Sequence, residues 1–141
     1  GVLSVEKKLF VETNNGTNRQ IRPVTPEQPL RIGDKVIVRL TIRTDREMNY
    51  VFLKDLRAGC FEPADQLSGP ESRDGIWYYR SPKDVSENFF INRLPEGTFV
   101  LEYPVYVSRS GEYAGGISTI QCMYAPEFVS HTAGESLRIM P

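Results

Sequence analysis

Apolar and polar residues alternate with a period of two along most of this chain. The clearest stretch is Lys35 to Thr44, KVIVRLTIRT. Val36, Val38, Leu40 and Ile42 share one face, while Lys35, Arg39, Thr41 and Arg43 share the other, with Ile37 the exception. Successive side chains of a strand point to opposite sides of its sheet, so the pattern predicts a strand with one buried and one wet face. Phe99, Leu101, Tyr103, Val105 and Val107 repeat it. EMNYVFLKD is apolar on both faces, which predicts a central strand. GIWYYRS, ENFFINRL and GISTIQCMY add three more, with LSVEKKLFVE at the start and a short SLRIM at the end. No window of eleven residues carries a helical period.

Turn chemistry separates these runs. NNGTN supplies positive φ at Asn15 or Gly16 and suits a hairpin tip, which also accounts for the weak glycosylation match Asn15-Gly16-Thr17. RIGD precedes the strand at Lys35, Pro95 and Gly97 take turn positions in LPEGT, and SRSGEYAGG breaks the chain after the Phe99 strand. DQLSGPESRD, Asp65 to Asp74, is the longest polar connection and reads as a mobile loop. Strands about ten residues apart without helices predict an all-β, two-layer antiparallel β-sandwich of immunoglobulin-like type.

Composition adds bounds. A chain of 141 residues reads as one domain over 1–141. That length buries roughly 70% of the unfolded surface in one core. Lys and Arg number 17 against 18 Asp and Glu, a net charge of −1, which gives no reason to expect nucleic acid or an anionic membrane as partner. No apolar run approaches the roughly 20 residues that span a bilayer, so direct membrane insertion is not expected. The chain opens Gly-Val without Met, and reads as a piece excised from something longer.

Candidate chemistry is sparse. His131 is the only histidine and sits in the polar stretch VSHTAG, which reads as an exposed loop. Asp55, Glu62, Asp65 and Asp74 have no partner whose spacing predicts a cleft, so no enzyme is expected. Neither a cofactor nor a metal site is indicated. Cys60 and Cys122 can pair only if their Cα atoms lie about 4.4–6.8 Å apart, but Cys122 follows strand alternation like a core residue, which favours free thiols. Lys35, Arg39 and Arg43 form either a docking stripe for an acidic partner or a solvated face. Of Trp77, Tyr78 and Tyr79, at most two rings share a face. They suit sheet packing, or a platform in an immunoglobulin-like module that binds carbohydrate or a cell-surface protein. Gly111 and Tyr113 match the Gly-x-Tyr of an immunoglobulin corner, with Gly115 where the cysteine would be.

An ordered set of segments carries more weight. Gly33-Asp34 enters the alternating strand, and Tyr50-Val51 leads to Arg57-Ala58-Gly59 and Phe61-Glu62-Pro63. Leu94-Pro95-Glu96-Gly97-Thr98, Leu101-Glu102-Tyr103, Gly111-Glu112-Tyr113 and Met123-Tyr124-Ala125-Pro126-Glu127 follow. In order and spacing this set resembles the last macroglobulin-like domain of bacterial alpha-2-macroglobulins, which follows the thioester domain. Cys60 interrupts the expected Ala-Gly-Phe-Glu-Pro order. Cys60-Phe61-Glu62-Pro63 also mimics the Cys-x-Glu-Gln of an internal thioester. Pro63 lacks the carboxamide such a bond needs, so the stretch reads as a strand-terminating turn.

The resemblance implies a macroglobulin-like sandwich in a protease-trapping inhibitor of the bacterial periplasm or cell envelope, on a membrane-anchored parent. The implied partners are the thioester domain, neighbouring macroglobulin-like domains of the same chain and, through the full-length protein, proteases. It also implies an interdomain interface at Met123 and Tyr124, with Pro126 and Glu127 behind them, that keeps water from the thioester. The alternative for Met123 and Tyr124 is the end of a strand in the core.

Overall fold

The computed structural model describes residues 1–65 and 67–141. Its strands in chain order are β1 Leu3–Asn15, β2 Asn18–Pro23, β3 Leu30–Arg31, β4 Lys35–Thr44, β5 Met48–Leu56, β6 Phe61–Pro63 and β7 Gly69–Arg73. They continue as β8 Ile76–Pro82, β9 Ser86–Leu94, β10 Gly97–Val107, β11 Gly111–Ala114, β12 Ser118–Cys122, β13 Val129–His131 and β14 Ser136–Met140. A five-stranded sheet, β2-β1-β4-β10-β6, and a six-stranded sheet, β13-β12-β5-β9-β8-β7, form the two layers. The alternating residues of β4 and β10 do what their period requires. Val36, Val38, Leu40, Ile42, Leu101, Tyr103 and Val105 are buried, together with Val51, Leu53, Phe89, Ile91 and Ile120 of the other sheet. The all-β sandwich read from the sequence is therefore the observed fold, and EMNYVFLKD is the central strand β5.

Three features differ from the sequence reading. A third sheet, β11-β14-β3, joins SLRIM to two short segments, with β14 parallel to β3. Half of the stretch read as a mobile loop, Gly69–Arg73, is the edge strand β7, with Gln66 outside the described residues. Its polar composition hid it. Among the described residues β7 has one neighbour, β8, and its charged side chains make polar links: Tyr78 donates to Glu71 at 3.4 Å, and Arg73 lies 3.5 Å from Glu102. Finally, the turn falls at Gly59-Cys60, and Phe61–Pro63 pairs with β10 as a short edge strand, a place that tolerates Pro63.

Buried charges join the layers. Asp55, on β5 and fully buried, accepts hydrogen bonds from Ser118 at 2.6 Å, from Lys7 of β1 at 2.7 Å and from the Tyr103 hydroxyl of β10. Lys7 Nζ also donates to the carbonyls of Leu56 and Gly115, each at 3.2 Å. That approach requires glycine at 116. Its φ is +74°, and a Cβ there would collide with the Leu56 carbonyl oxygen. Glu87, equally buried, pairs with Arg57 at 3.1 Å and with Arg80. Burial pushes its carboxyl up from the ordinary value against the pull of the two guanidiniums.

Burial pushes the Tyr103 hydroxyl well above its ordinary value of 10.0, and the Asp55 charge adds to the effect. The folded state thus keeps a proton that the unfolded chain releases. The stability this contributes is complete below pH 10 and declines as the pH rises beyond it. Tyr103→Phe is expected to lose about 1.5–3 kcal/mol at neutral pH and to flatten the decline above pH 10, as measured by urea denaturation across pH.

Candidate functional site

The connection between β12 and β13 projects from the end of the six-stranded sheet. Cys122 is its last buried residue. Ala125 N–H donates to Cys122 O at 3.2 Å, Phe128 N–H to Ala125 O at 2.9 Å, and Cys122 N–H to Phe128 O at 3.0 Å. Ala125 and Phe128 pack onto the core from one side, and the Arg46 guanidinium lies 5.2 Å above the Phe128 ring. The rest of the turn faces outward. Met123 is 54% and Tyr124 81% exposed, and Pro126 and Glu127 are exposed beside them. The strand-end-in-the-core reading of Met123 and Tyr124 is thereby excluded.

Tyr50 fixes this turn, and nothing in the sequence announced it. It lies within β5 yet has φ of 59°, a conformation that costs a bulky residue about 1–2 kcal/mol. Asn49, its neighbour, is the type that tolerates it better. The distortion turns the Tyr50 carbonyl to accept from Met123 N–H at 2.9 Å, and its ring meets Tyr124 edge-on, 5.1 Å between centroids at 88°. Strain of this kind persists only where the surroundings over-determine it, and it gathers at working sites.

The other sequence candidates fall elsewhere. Cys60 and Cys122 are free and buried, and burial raises the Cys60 thiol further from the reactive thiolate. His131 lies exposed on β13 rather than in a loop, its Nδ1 3.1 Å from the Thr132 carbonyl. Asp55 is consumed by the core, Asp65 lies 3.3 Å from Arg80, Asp74 accepts from Val100 N–H at 2.9 Å, and Glu62 is exposed. Among the described residues no group of His, Cys, Asp and Glu could hold a metal. The Lys35, Arg39 and Arg43 stripe is neutralised in place, by Glu12 at 2.8 Å, Glu102 at 2.6 Å and Glu6 at 2.9 Å. Trp77 and Tyr79 share the outer face and Tyr78 enters the core, as strand alternation required. Tyr113 does form a corner, donating to Ser110 O at 3.0 Å.

Residues 3–127 match the family described as the bacterial alpha-2-macroglobulin MG10 domain. The whole chain superposes on Salmonella alpha-2-macroglobulin reacted with methylamine, with a TM-score of 0.75 at 21% identity, covering 9% of that chain. It superposes on trypsin-activated alpha-2-macroglobulin from Escherichia coli at 0.74 with 17% identity, covering 10% of that chain. The native Escherichia coli protein from MG7 to the C-terminus gives 0.73 at 17% identity, with 24% of that chain covered. A curated relative, Circularly permutated Ras protein 2 of Dictyostelium discoideum, is 28% identical over 109 residues, which is 77% of this chain and 3% of that protein.

Tyr50→Gly removes the backbone strain and the Tyr124 contact together. These oppose each other, so stability should stay within about 1 kcal/mol of the parent chain. The turn should nevertheless loosen, seen as faster hydrogen exchange at the Met123 amide.

Proposed function

The chain belongs to the bacterial alpha-2-macroglobulin MG10 domain family, and from that premise we propose that its 141 residues are one domain of a longer protease-trapping polypeptide. In that polypeptide it serves as a non-catalytic clasp. The turn at Met123 and Tyr124, backed by Pro126 and Glu127, docks on the thioester domain and shields the thioester from water. The parent sits in the bacterial periplasm or cell envelope.

One observation carries this reading: Tyr124 is 81% exposed yet held in place by the strained Tyr50. A side chain with no partner needs no such support. Met123 beside it adapts to the shape of an apolar contact, and Tyr124 offers area with a polar tip. The chain fits native and trypsin-activated forms of the Escherichia coli protein equally well. That likeness supports a domain that moves as a unit, releasing its neighbour when the parent is cleaved.

Because Tyr124 is exposed and its ring contact is with Tyr50, Tyr124→Ala should cost the domain no more than about 0.5–1.5 kcal/mol and leave it folded. In a full-length parent with an intact thioester, the same substitution should speed the appearance of free thiol in water, followed by thiol titration over time. Equal rates in parent and variant would remove the shielding role.

A further inference from the structure

The two sheets present opposite kinds of outer face. On the five-stranded sheet the outward residues of β1, β4 and β10 form the ion pairs Arg39–Glu102, Lys35–Glu12 and Arg43–Glu6. Its outward Phe10 and Ile37 are buried, with the Arg39 guanidinium 4.3 Å over the Phe10 ring, so the ion pairs are what it shows to water there. On the six-stranded sheet one continuous row crosses all the strands in register: Pro70, Tyr79, Phe90, Phe52, Gln121 and Val129. It holds no charge. The adjacent row contributes Lys54, with His131 at its far margin. Trp77, 72% exposed, extends the surface along β8, and Tyr50 with Tyr124 extends it to the projecting turn. Arg93 and Glu47, paired at 2.6 Å, stand at the rim. An aromatic centre without charge inside a polar rim is the anatomy of a protein interface, and contiguous apolar patches of this kind are uncommon on free surfaces.

We infer that this outer face is a second docking surface, covered by a neighbouring folded domain of the same polypeptide whose facing surface is itself uncharged and apolar. The inference rests on the reading of the chain as one domain among several. Three observations select that occupant. A face without carboxylates and with one lysine has no charge to offer a charged partner, so its complement is neutral. The face is continuous, through Tyr50, with the turn at Met123 and Tyr124. The chain also corresponds to only 9–24% of the matched chains described above, which leaves ample room for neighbours. A sugar is a poorer fit. Phe52 and Phe90 lie stacked on each other, 4.8 Å apart and 12° from parallel. One face of each ring, of the kind a pyranose would need, is thus already occupied by the other.

Hydroxyl-radical footprinting of the intact parent polypeptide tests this with an internal control. Tyr79 and Tyr106 have nearly the same exposure here, 48% and 45%, but Tyr106 belongs to the ion-paired sheet. Tyr79 should be oxidised several-fold more slowly than Tyr106, and Phe90→Lys should bring the two rates together. Equal rates in the unmodified parent would overturn the inference. So would protection of Tyr79 that vanishes on dilution, the mark of a second copy, or protection that appears only with added oligosaccharide. Tyr124 in the same experiment reports on the shielding turn separately. If Tyr124 is protected and Tyr79 is not, the second surface falls while the turn stands; the reverse pattern removes the turn alone.

Discussion

A carboxylate with no access to water lies where the two sheets meet, and much of the structure is arranged around it. Asp55 takes Lys7 and Tyr103 from the five-stranded sheet and Ser118 from its own. A buried ion pair is a poor source of net stability, because desolvating both charges offsets most of their attraction. Its strength is selectivity. Shift β1 by one residue and Lys7 turns to the wet face, leaving Asp55 charged, buried and unpaired. The same slip would turn Leu3, Val5 and Val11 to water and bury Glu6 and Lys8, so the ion and the apolar face fix one register together. The same ammonium binds the backbone of Gly115, and so ties the loop before β12 to the first strand.

Glu87 with Arg57 and Arg80 extends that logic. Apart from Lys54 and the rim residue Arg93, the charges of β5, β8 and β9 lie on the inner side, where Arg80 stands 5.9 Å from the Tyr103 ring, and the outer side is largely aromatic. The five-stranded sheet, apart from the inward Lys7, is closer to the usual arrangement, with ion pairs outside that cover Phe10 and Ile37. The inverted sheet gains a nearly neutral outer face, at the cost of burying Glu87, Arg57 and Arg80, whose ion pairs leave Arg57 Nε and Arg80 Nη2 without a hydrogen-bond partner among the described residues. Such an arrangement makes physical sense where the outer face is to lose its water to a partner.

Most strands were legible because each declares itself locally. In β4 and β10 one face is dry and the other wet, so alternation reports the fold directly. The Asn15-Gly16 hairpin was legible for the same reason, with Gly16 at φ of 70° closing the pair Asn15 to Asn18. What was hidden depends on distant partners. β7 reads as loop because Glu71 and Arg73 are satisfied across strands by Tyr78, Arg80 and Glu102. Asp55 looks like any exposed carboxylate until Lys7 and Tyr103 are brought to it. The parallel pair β14 and β3 joins segments a hundred residues apart and has no period of its own. Of the projecting turn, the sequence carried Met123, Tyr124, Pro126 and Glu127 through the family resemblance. It carried no sign of the left-handed Tyr50 that positions them.

That residue links the core to the surface. Strain in a strand survives only if pairing on both sides holds the chain, and β5 has β12 on one side and β9 on the other. The central position of β5 therefore permits what an edge strand would relax away. The distortion is transmitted outward through one hydrogen bond to Met123 and one ring contact to Tyr124, while Cys122 and Phe128 pin the ends of the turn. An exposed tyrosine ordinarily loses rotamer freedom when it meets a partner, a loss that weakens binding. Here the Tyr50 ring already borders Tyr124 on one side in the folded domain. The buried charges align the sheets, the aligned sheets hold Tyr50, and Tyr50 presents Tyr124 in one orientation: rigidity at the centre of the fold becomes pre-organisation at its tip.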